Sequence, residues 1–236
     1  MSICCIIPAR FNSSRLPGKP LLKINDKELL LLTYNNIKKV FKNSDIYIFT
    51  DSKKVTERFK NLNIFFFNKF FLNGTDRVSY GLKYIKKKYD AALIVSCDNP
   101  YLEKKAILDT LKTYNSIKKD DQFCAGTVHC KSAIKKNNKN IAKVVLSKDN
   151  DIMYLSRKQI PSKKINNKYL YTHHGPVCVK MKYLKKYIHL KNTKNQIIED
   201  NEWLKLIDYG YKIKSRLTTN ISLEVNAKED LNFYRK

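Results

Sequence analysis

Short apolar runs alternate along the chain with longer stretches whose apolar residues recur at helical spacing. That is the layout of a layered sheet with helices packed on its faces. Residues 3–7 predict a first strand, and Leu29, Leu30, Leu32, Ile37 and Val40 predict the helix after it. Residues 46–50 read as a second strand, with Asp51 and Ser52 capping a short helix that runs through Phe59. A third strand follows at 64–67, and its aromatic neighbours Phe70 and Phe71 are expected in the core rather than as a platform for stacking bases. Val78, Leu82 and Ile85 mark another helix, and the unbroken apolar run 91–95 predicts a strand covered on both faces. Beyond it, 103–114 reads as helix, 122–130 as strand, and 143–146 with 152–155 as a hairpin joined by the polar turn 147–151. Residues 195–209 have helical period, 211–217 predict the last strand, and 221–231 form a loop entering a final helix. Ligands of such open sheets sit beyond the carboxyl ends of the strands, so the loops after 3–7, 64–67 and 91–95 should converge on one site.

Composition narrows the class. The 236 residues, 43% of them hydrophobic, suffice for a single domain spanning 1–236 with a sizeable core. The polar, basic stretch 131–140 reads as an exposed loop rather than a boundary. No run of about 18 apolar residues is present and no basic region precedes the first apolar run, so neither a membrane span nor a signal peptide is expected and the reading is cytoplasmic. The six cysteines form no CxxC pair and several lie in strand-like runs, which favours buried free thiols over disulfides or metal ligands. The 47 Lys and Arg against 21 Asp and Glu give a net charge of +26, which makes a nucleic-acid binder the natural rival to an enzyme. Lysine, however, far outnumbers arginine and is scattered over almost every helical stretch, as at 86–88 and 135–136. Scattered lysines suit solvated positions, and a nucleic-acid partner is not expected.

The candidate chemistry lies in the loops. Residues 8–20 (Pro-Ala-Arg-Phe-Asn-Ser-Ser-Arg-Leu-Pro-Gly-Lys-Pro) follow the first strand with three spaced cations, small polar residues and a glycine. This is an anion-binding turn suited to a phosphate chain: Gly18 lets backbone approach the ligand, and Arg10, Arg15 and Lys19 can place charge along several phosphates. A solvated basic loop is the plain alternative. The spacing fits neither GxxxxGKS/T nor GxGxxG. At 73–77, Asn-Gly-Thr-Asp-Arg precedes a helix, and Thr75 is placed to serve as its N-cap. Asp98, at the tip of the strand 91–95 and stopped by Pro100, is positioned to hold a metal ion that meets phosphates, although a simple turn aspartate would look the same. The adjacent His173 and His174, without further ligand spacing, are weak evidence for zinc.

Residues 6–20 resemble the N-terminal signature of the sugar-activating cytidylyltransferases, in particular the 3-deoxy-manno-octulosonate cytidylyltransferase family, and later segments extend the resemblance over nearly the whole chain. It implies a three-layer, nucleotidyltransferase-type (Rossmann-like) α/β mixed sheet, with 156–190 as a lobe over the sugar site and a dimerisation element. It also implies a magnesium-dependent homodimer that joins CTP to a 2-keto sugar acid, 3-deoxy-manno-octulosonate, and releases pyrophosphate. Ala9, Arg10, Ser13, Arg15 and Lys19 would bind the nucleotide, as would Thr75, Asp76 and Arg77, which match the family's SGTDR loop with Asn73 in place of its serine. Asp98 matches the metal-binding aspartate of QGDEP, while Ser96, Cys97 and Asn99 depart from that motif. Lys19, Arg15 and Asp98 would carry catalysis. Residues 156–161 resemble SR-x-x-IP, and Arg157 supplies the planar cation that a sugar carboxylate needs. His173 matches the family's histidine-x-glycine segment, with Val177 where a tyrosine is usual. Glu202 matches a residue contacting sugar hydroxyls, and Trp203 replaces a glutamine and is expected to pack over the ring. Residues 225–231 resemble VDTPEDL, and its second metal-binding aspartate is Asn226 here.

Overall fold

A computed structural model of the chain describes residues 2–12, 16–131, 140–161, 170–218, 224–227 and 229–231. Its strands are β1 (Ile3–Ala9), β2 (Lys23–Ile24), β3 (Lys27–Glu28), β4 (Ile46–Thr50), β5 (Ile64–Phe66), β6 (Ala91–Ile94), β7 (Phe123–Lys131), β8 (Lys143–Leu146), β9 (Ile152–Ser156), β10 (Tyr171–Lys180) and β11 (Lys212–Thr218). The helices are α1 (Leu29–Lys38), α2 (Lys53–Arg58), α3 (Gly74–Gly81), α4 (Lys104–Ile117), α5 (Met181–Tyr187), α6 (Lys194–Ile198) and α7 (Glu202–Asp208). The main sheet runs β11-β7-β10-β6-β1-β4-β5, with β8 pairing β10 and β9 pairing β8. β6, β1, β4 and β5 are parallel, whereas β10 runs antiparallel to both β6 and β7. This is the mixed α/β sheet expected from the sequence.

Alternation along β1 explains the three layers. Cys4 and Ile6 face a core shared with Val78, Leu82, Leu184 and Leu204, from α3, α5 and α7. Cys5, Ile7 and Ala9 face the opposite core, with Leu30, Ile37, Val55, Ile107 and Tyr114 from α1, α2 and α4. β1 has β4 on one side and β6 on the other, so the chain leaves β1 in one direction and returns to its far edge. This reversal opens a crevice beyond the carboxyl ends of β1 and β6.

Packing between α3 and β4 is tight at Gly81. A Cβ there would meet the Phe49 ring, Cδ2 at 2.6 Å and Cζ at 2.8 Å. Phe49 is fully buried, so the ring cannot swing into solvent. Gly81→Ala is expected to destabilise the fold by about 1–3 kcal/mol through overpacking, read as a lower urea midpoint, with Phe49→Leu restoring part of the loss.

Several elements differ from the sequence expectation for identifiable reasons. β10 was not predicted, yet it lies in the middle of the sheet; its polar Thr-His-His-Gly-Pro portion interrupts the apolar pattern, and a register shift falls between His174 and Val177. Part of the span 156–190 is therefore sheet, and 162–169 lie outside the described residues. The helical stretch 195–209 is two helices, broken where Asp200 takes φ 46° and Asn201 caps α7 through a bond from Trp203 N–H. Asn73, not Thr75, is the N-cap of α3, accepting from the Asp76 N–H at 2.8 Å. Ser52 holds the N-cap position of α2 without a side-chain capping bond, and Asp51 turns elsewhere. Phe71 is buried as expected, but Phe70 is 82% exposed. Cys4, Cys5, Cys97, Cys124 and Cys178 are buried free thiols. Among the described residues, no helix is long and apolar enough to cross a membrane.

Candidate active site

The crevice beyond β1 and β6 is a cleft of 480 Å³ lined by Arg10 and Lys19 from the loop after β1, by Gly74 and Arg77 of α3, and by Ser96, Cys97 and Asp98 beyond β6. Arg157, His173, Gln196, Asn201, Glu202, Trp203, Glu224 and Asn226 complete its walls. β10 brings His173 here because Val177 pairs with Ile94, the last residue of β6; the residues before Val177 therefore extend past the end of β6. Neighbouring residues of a strand face opposite sides of the sheet, so His173 and His174 cannot jointly ligate one metal.

At the deep end, the Lys19 ammonium is paired with Asp98 Oδ2 and lies 3.5 Å from Asn226 Oδ1. Gly18, at φ 71° and with its N–H donated to Phe11 O at 2.9 Å, folds the loop back so that Lys19 enters the cleft. Burial works against the charge on Lys19, but Asp98 and neighbouring Cys97 and Glu224 outweigh it and hold its pKa above the ordinary lysine value. Glu224 is pushed up to about 7 by burial and by the charge of Asp98. Burial also raises Glu202, which accepts the Thr75 N–H at 2.9 Å, against the lowering effect of that bond. Burial drives His173 down to about 3, so it meets any ligand as a neutral ring, with Thr127 Oγ1 3.3 Å from its Nε2.

Asp51, expected only as a helix cap, instead ties the site together. Its carboxylate accepts Phe11 N–H at 2.7 Å and the Arg77 Nη2 at 3.0 Å, joining the loop after β1 to α3. Buried polar atoms without a hydrogen-bond partner among the described residues include Arg77 Nη1, Asp98 Oδ1, Arg157 Nε and Gln196 Nε2. All four side chains line the cleft. Native proteins rarely leave such atoms unpaired, and their collection on one concave surface is the mark of a site built for a polar ligand.

Other sequence candidates fall differently. Ser13 and Arg15 lie outside the described residues. The Ala9 side chain is in the core, leaving only its backbone for a ligand. Asp76 sits behind the cleft wall, 3.7 Å from the buried Lys205 ammonium and bonded by Asn73 Nδ2 at 3.0 Å, and fully buried Thr75 reaches the cleft only through Glu202. Arg157 lines the cleft with its outer nitrogens engaged: Nη1 donates to Asn140 O at 2.8 Å and Nη2 to Asp200 O at 2.9 Å. Glu224 was missed in the sequence. Its signal was positional: in an extended segment, residues flanking a buried one share the opposite face, and Glu224 and Asn226 flank Val225.

A mixed sheet whose parallel strands reverse direction at β1, with cations and a carboxylate meeting where those strands end, has the layout of a nucleotidyltransferase. A cytidylyltransferase family model matches residues 4–221. The chain belongs to the cytidylyltransferase family. It is 31% identical to a 3-deoxy-manno-octulosonate cytidylyltransferase of Protochlamydia amoebophila, over 96% of this chain and 90% of that one. It is 26% identical to an 8-amino-3,8-dideoxy-manno-octulosonate cytidylyltransferase of Shewanella pealeana, over 98% and 96%. Its fold superposes, with a TM-score of 0.86, 24% identity and coverage of 100% and 97%, on a CMP:2-keto-3-deoxy-manno-octonic acid synthetase solved with CTP.

Proposed function

We propose that this protein transfers the cytidylyl group of CTP to 3-deoxy-manno-octulosonate, giving the CMP-sugar and pyrophosphate. The observation that carries the reading is the set of donors and acceptors without a partner among the described residues, Arg77 Nη1, Asp98 Oδ1, Arg157 Nε and Gln196 Nε2, on the cleft that also holds Arg10 and Lys19. The anomeric hydroxyl oxygen bonds to the α-phosphorus as the bond from that phosphorus to pyrophosphate breaks, and the hydroxyl proton passes to water. Arg10 and Lys19 neutralise the triphosphate and the leaving group, and Arg77 supports the nucleotide. Arg157, His173 and Glu202, at the β10 and α7 side, receive the sugar acid. Such chemistry is mostly positioning and charge stabilisation, so the cleft needs no strong general base.

Magnesium fits this donor set. Asp98 Oδ1 is buried and has no hydrogen-bond partner among the described residues, and Asn226 Oδ1 faces the same Lys19 ammonium as Asp98 Oδ2. Asp98 and Asn226 would hold the ion, which when bound would offset the charge of the phosphates. Among the described residues no three His, Cys, Asp or Glu side chains form a metal-binding group, which suits an ion that arrives with the triphosphate and keeps several waters. The same reading takes the working form to be a cytoplasmic homodimer.

Pyrophosphate release across CTP, UTP, ATP and GTP, each with a panel of 2-keto sugar acids that includes the 8-amino sugar, tests the proposal. CTP with 3-deoxy-manno-octulosonate should give the highest kcat/KM; release that ignores the sugar overturns it. Arg157→Lys should raise the KM for the sugar about tenfold and leave that for CTP unchanged, since a hydrogen bond to a charged group is worth about 1.5–3 kcal/mol. Equal changes for both substrates would make Arg157 a brace between 140 and 200.

A further inference from the structure

Asn226 is a neutral member of the cleft wall beside Lys19 and Asp98, and the structure places a carboxylate two residues earlier on the same wall. Val225 donates its N–H to Asp98 O at 2.9 Å, which pins this segment alongside the residue that ends the β6 side of the cleft. The Val225 side chain is fully buried against Leu16, Ile24, Leu29 and Leu231. With Val225 turned inward, Glu224 and Asn226 on either side of it both line the cleft, on the same wall as Lys19 and Asp98. Asn226 Nδ2 donates to Glu224 Oε2 at 3.4 Å, so the amide oxygen is left facing Lys19 while the carboxylate stands beside it. An independent observation points to a cation among these groups: Asp98 is 6% exposed, and its Oδ1 has no hydrogen-bond partner among the described residues.

We infer that Glu224 is the second carboxylate of the magnesium site, carrying the negative charge that Asn226 lacks, with Asp98 as the first and the Asn226 carbonyl as a neutral oxygen donor. The inference rests on the nucleotidyl-transfer reading of the cleft. The Lys19 ammonium lies against two of these three groups, Asp98 Oδ2 and Asn226 Oδ1. A site with two carboxylates and one amide oxygen, completed by substrate phosphates, has the hard-oxygen composition magnesium requires.

Manganese, a paramagnetic substitute, serves as the probe. Free Mn²⁺ is counted by electron paramagnetic resonance with a non-hydrolysable α,β-methylene CTP analogue, for the wild type, Glu224→Gln, Asn226→Asp and the double variant. Glu224→Gln should weaken Mn²⁺ binding in the presence of the analogue about tenfold or more. Asn226→Asp in the Glu224→Gln background should restore affinity to within a few-fold of wild type. A merely structural role for Glu224 would not be rescued by a charge at 226. If Glu224→Gln leaves Mn²⁺ affinity unchanged while Asp98→Asn abolishes it, the inference fails and the nucleotidyl-transfer reading stands. If the wild type binds neither the analogue nor Mn²⁺ in its presence, both fail.

Discussion

Lys19→Ala lowers kcat/KM for CTP by at least about 100-fold, the scale of losing one preorganised group that stabilises developing charge. The loop after β1 is shaped to deliver this ammonium: Gly18 reverses the backbone, Leu16 anchors the turn in a small core with Leu29 and Val225, and Lys19 is left 8% exposed at the cleft floor. The variant also strips Asp98 of its partner, and an uncompensated buried charge costs about 3–5 kcal/mol. The two effects separate in a double variant. Lys19→Ala with Asp98→Asn should regain most of the unfolding free energy and none of the turnover. Recovery of activity along with stability would remove both Lys19 and Asp98 from the reaction.

Asp98→Asn is the second large effect, a loss of between about 10² and 10³ in turnover together with the loss of metal uptake in the presence of nucleotide. Its backbone is held independently of its charge. Thr33 Oγ1 donates to Cys97 O at 3.1 Å, Val225 N–H donates to Asp98 O, and Asn36 Nδ2 donates to Pro100 O at 2.8 Å. The amide should therefore take the carboxylate's place, so that the change reports on charge. A rate within about threefold of wild type at saturating magnesium would remove Asp98 from the reaction.

The parts of this architecture that follow from local alternation were legible in the sequence. β1, β4 and β6 are short apolar runs buried on both faces, and the loops that leave them are dense in cations or carboxylates, so the crevice and its residues Arg10, Lys19 and Asp98 could be named in advance. β10 could not, because Gly175 and Pro176 break its pattern and its burial is set by β6 and β7, far away in the chain. Asp76 illustrates the same limit: its motif could be read in the sequence, but the Lys205 ammonium of α7 that stands 3.7 Å from its carboxylate could not. Glu224 was hidden for a related reason. Only the burial of Val225 decides which way its neighbours point, and that burial depends on Leu16, Ile24 and Leu29 near the other end of the chain.

The contact between Lys19 and Asn226 spans 207 positions, and its consequence concerns biosynthesis. A ribosome adding about 5–20 residues per second releases β1, β4, β5 and β6 well before the segment that carries Glu224 and Asn226. A nascent or prematurely terminated chain can hold the parallel half of the sheet while its cation pocket still lacks a wall. The cation pocket is thus assembled only once the segment that carries Glu224 and Asn226 has docked on the older part of the chain.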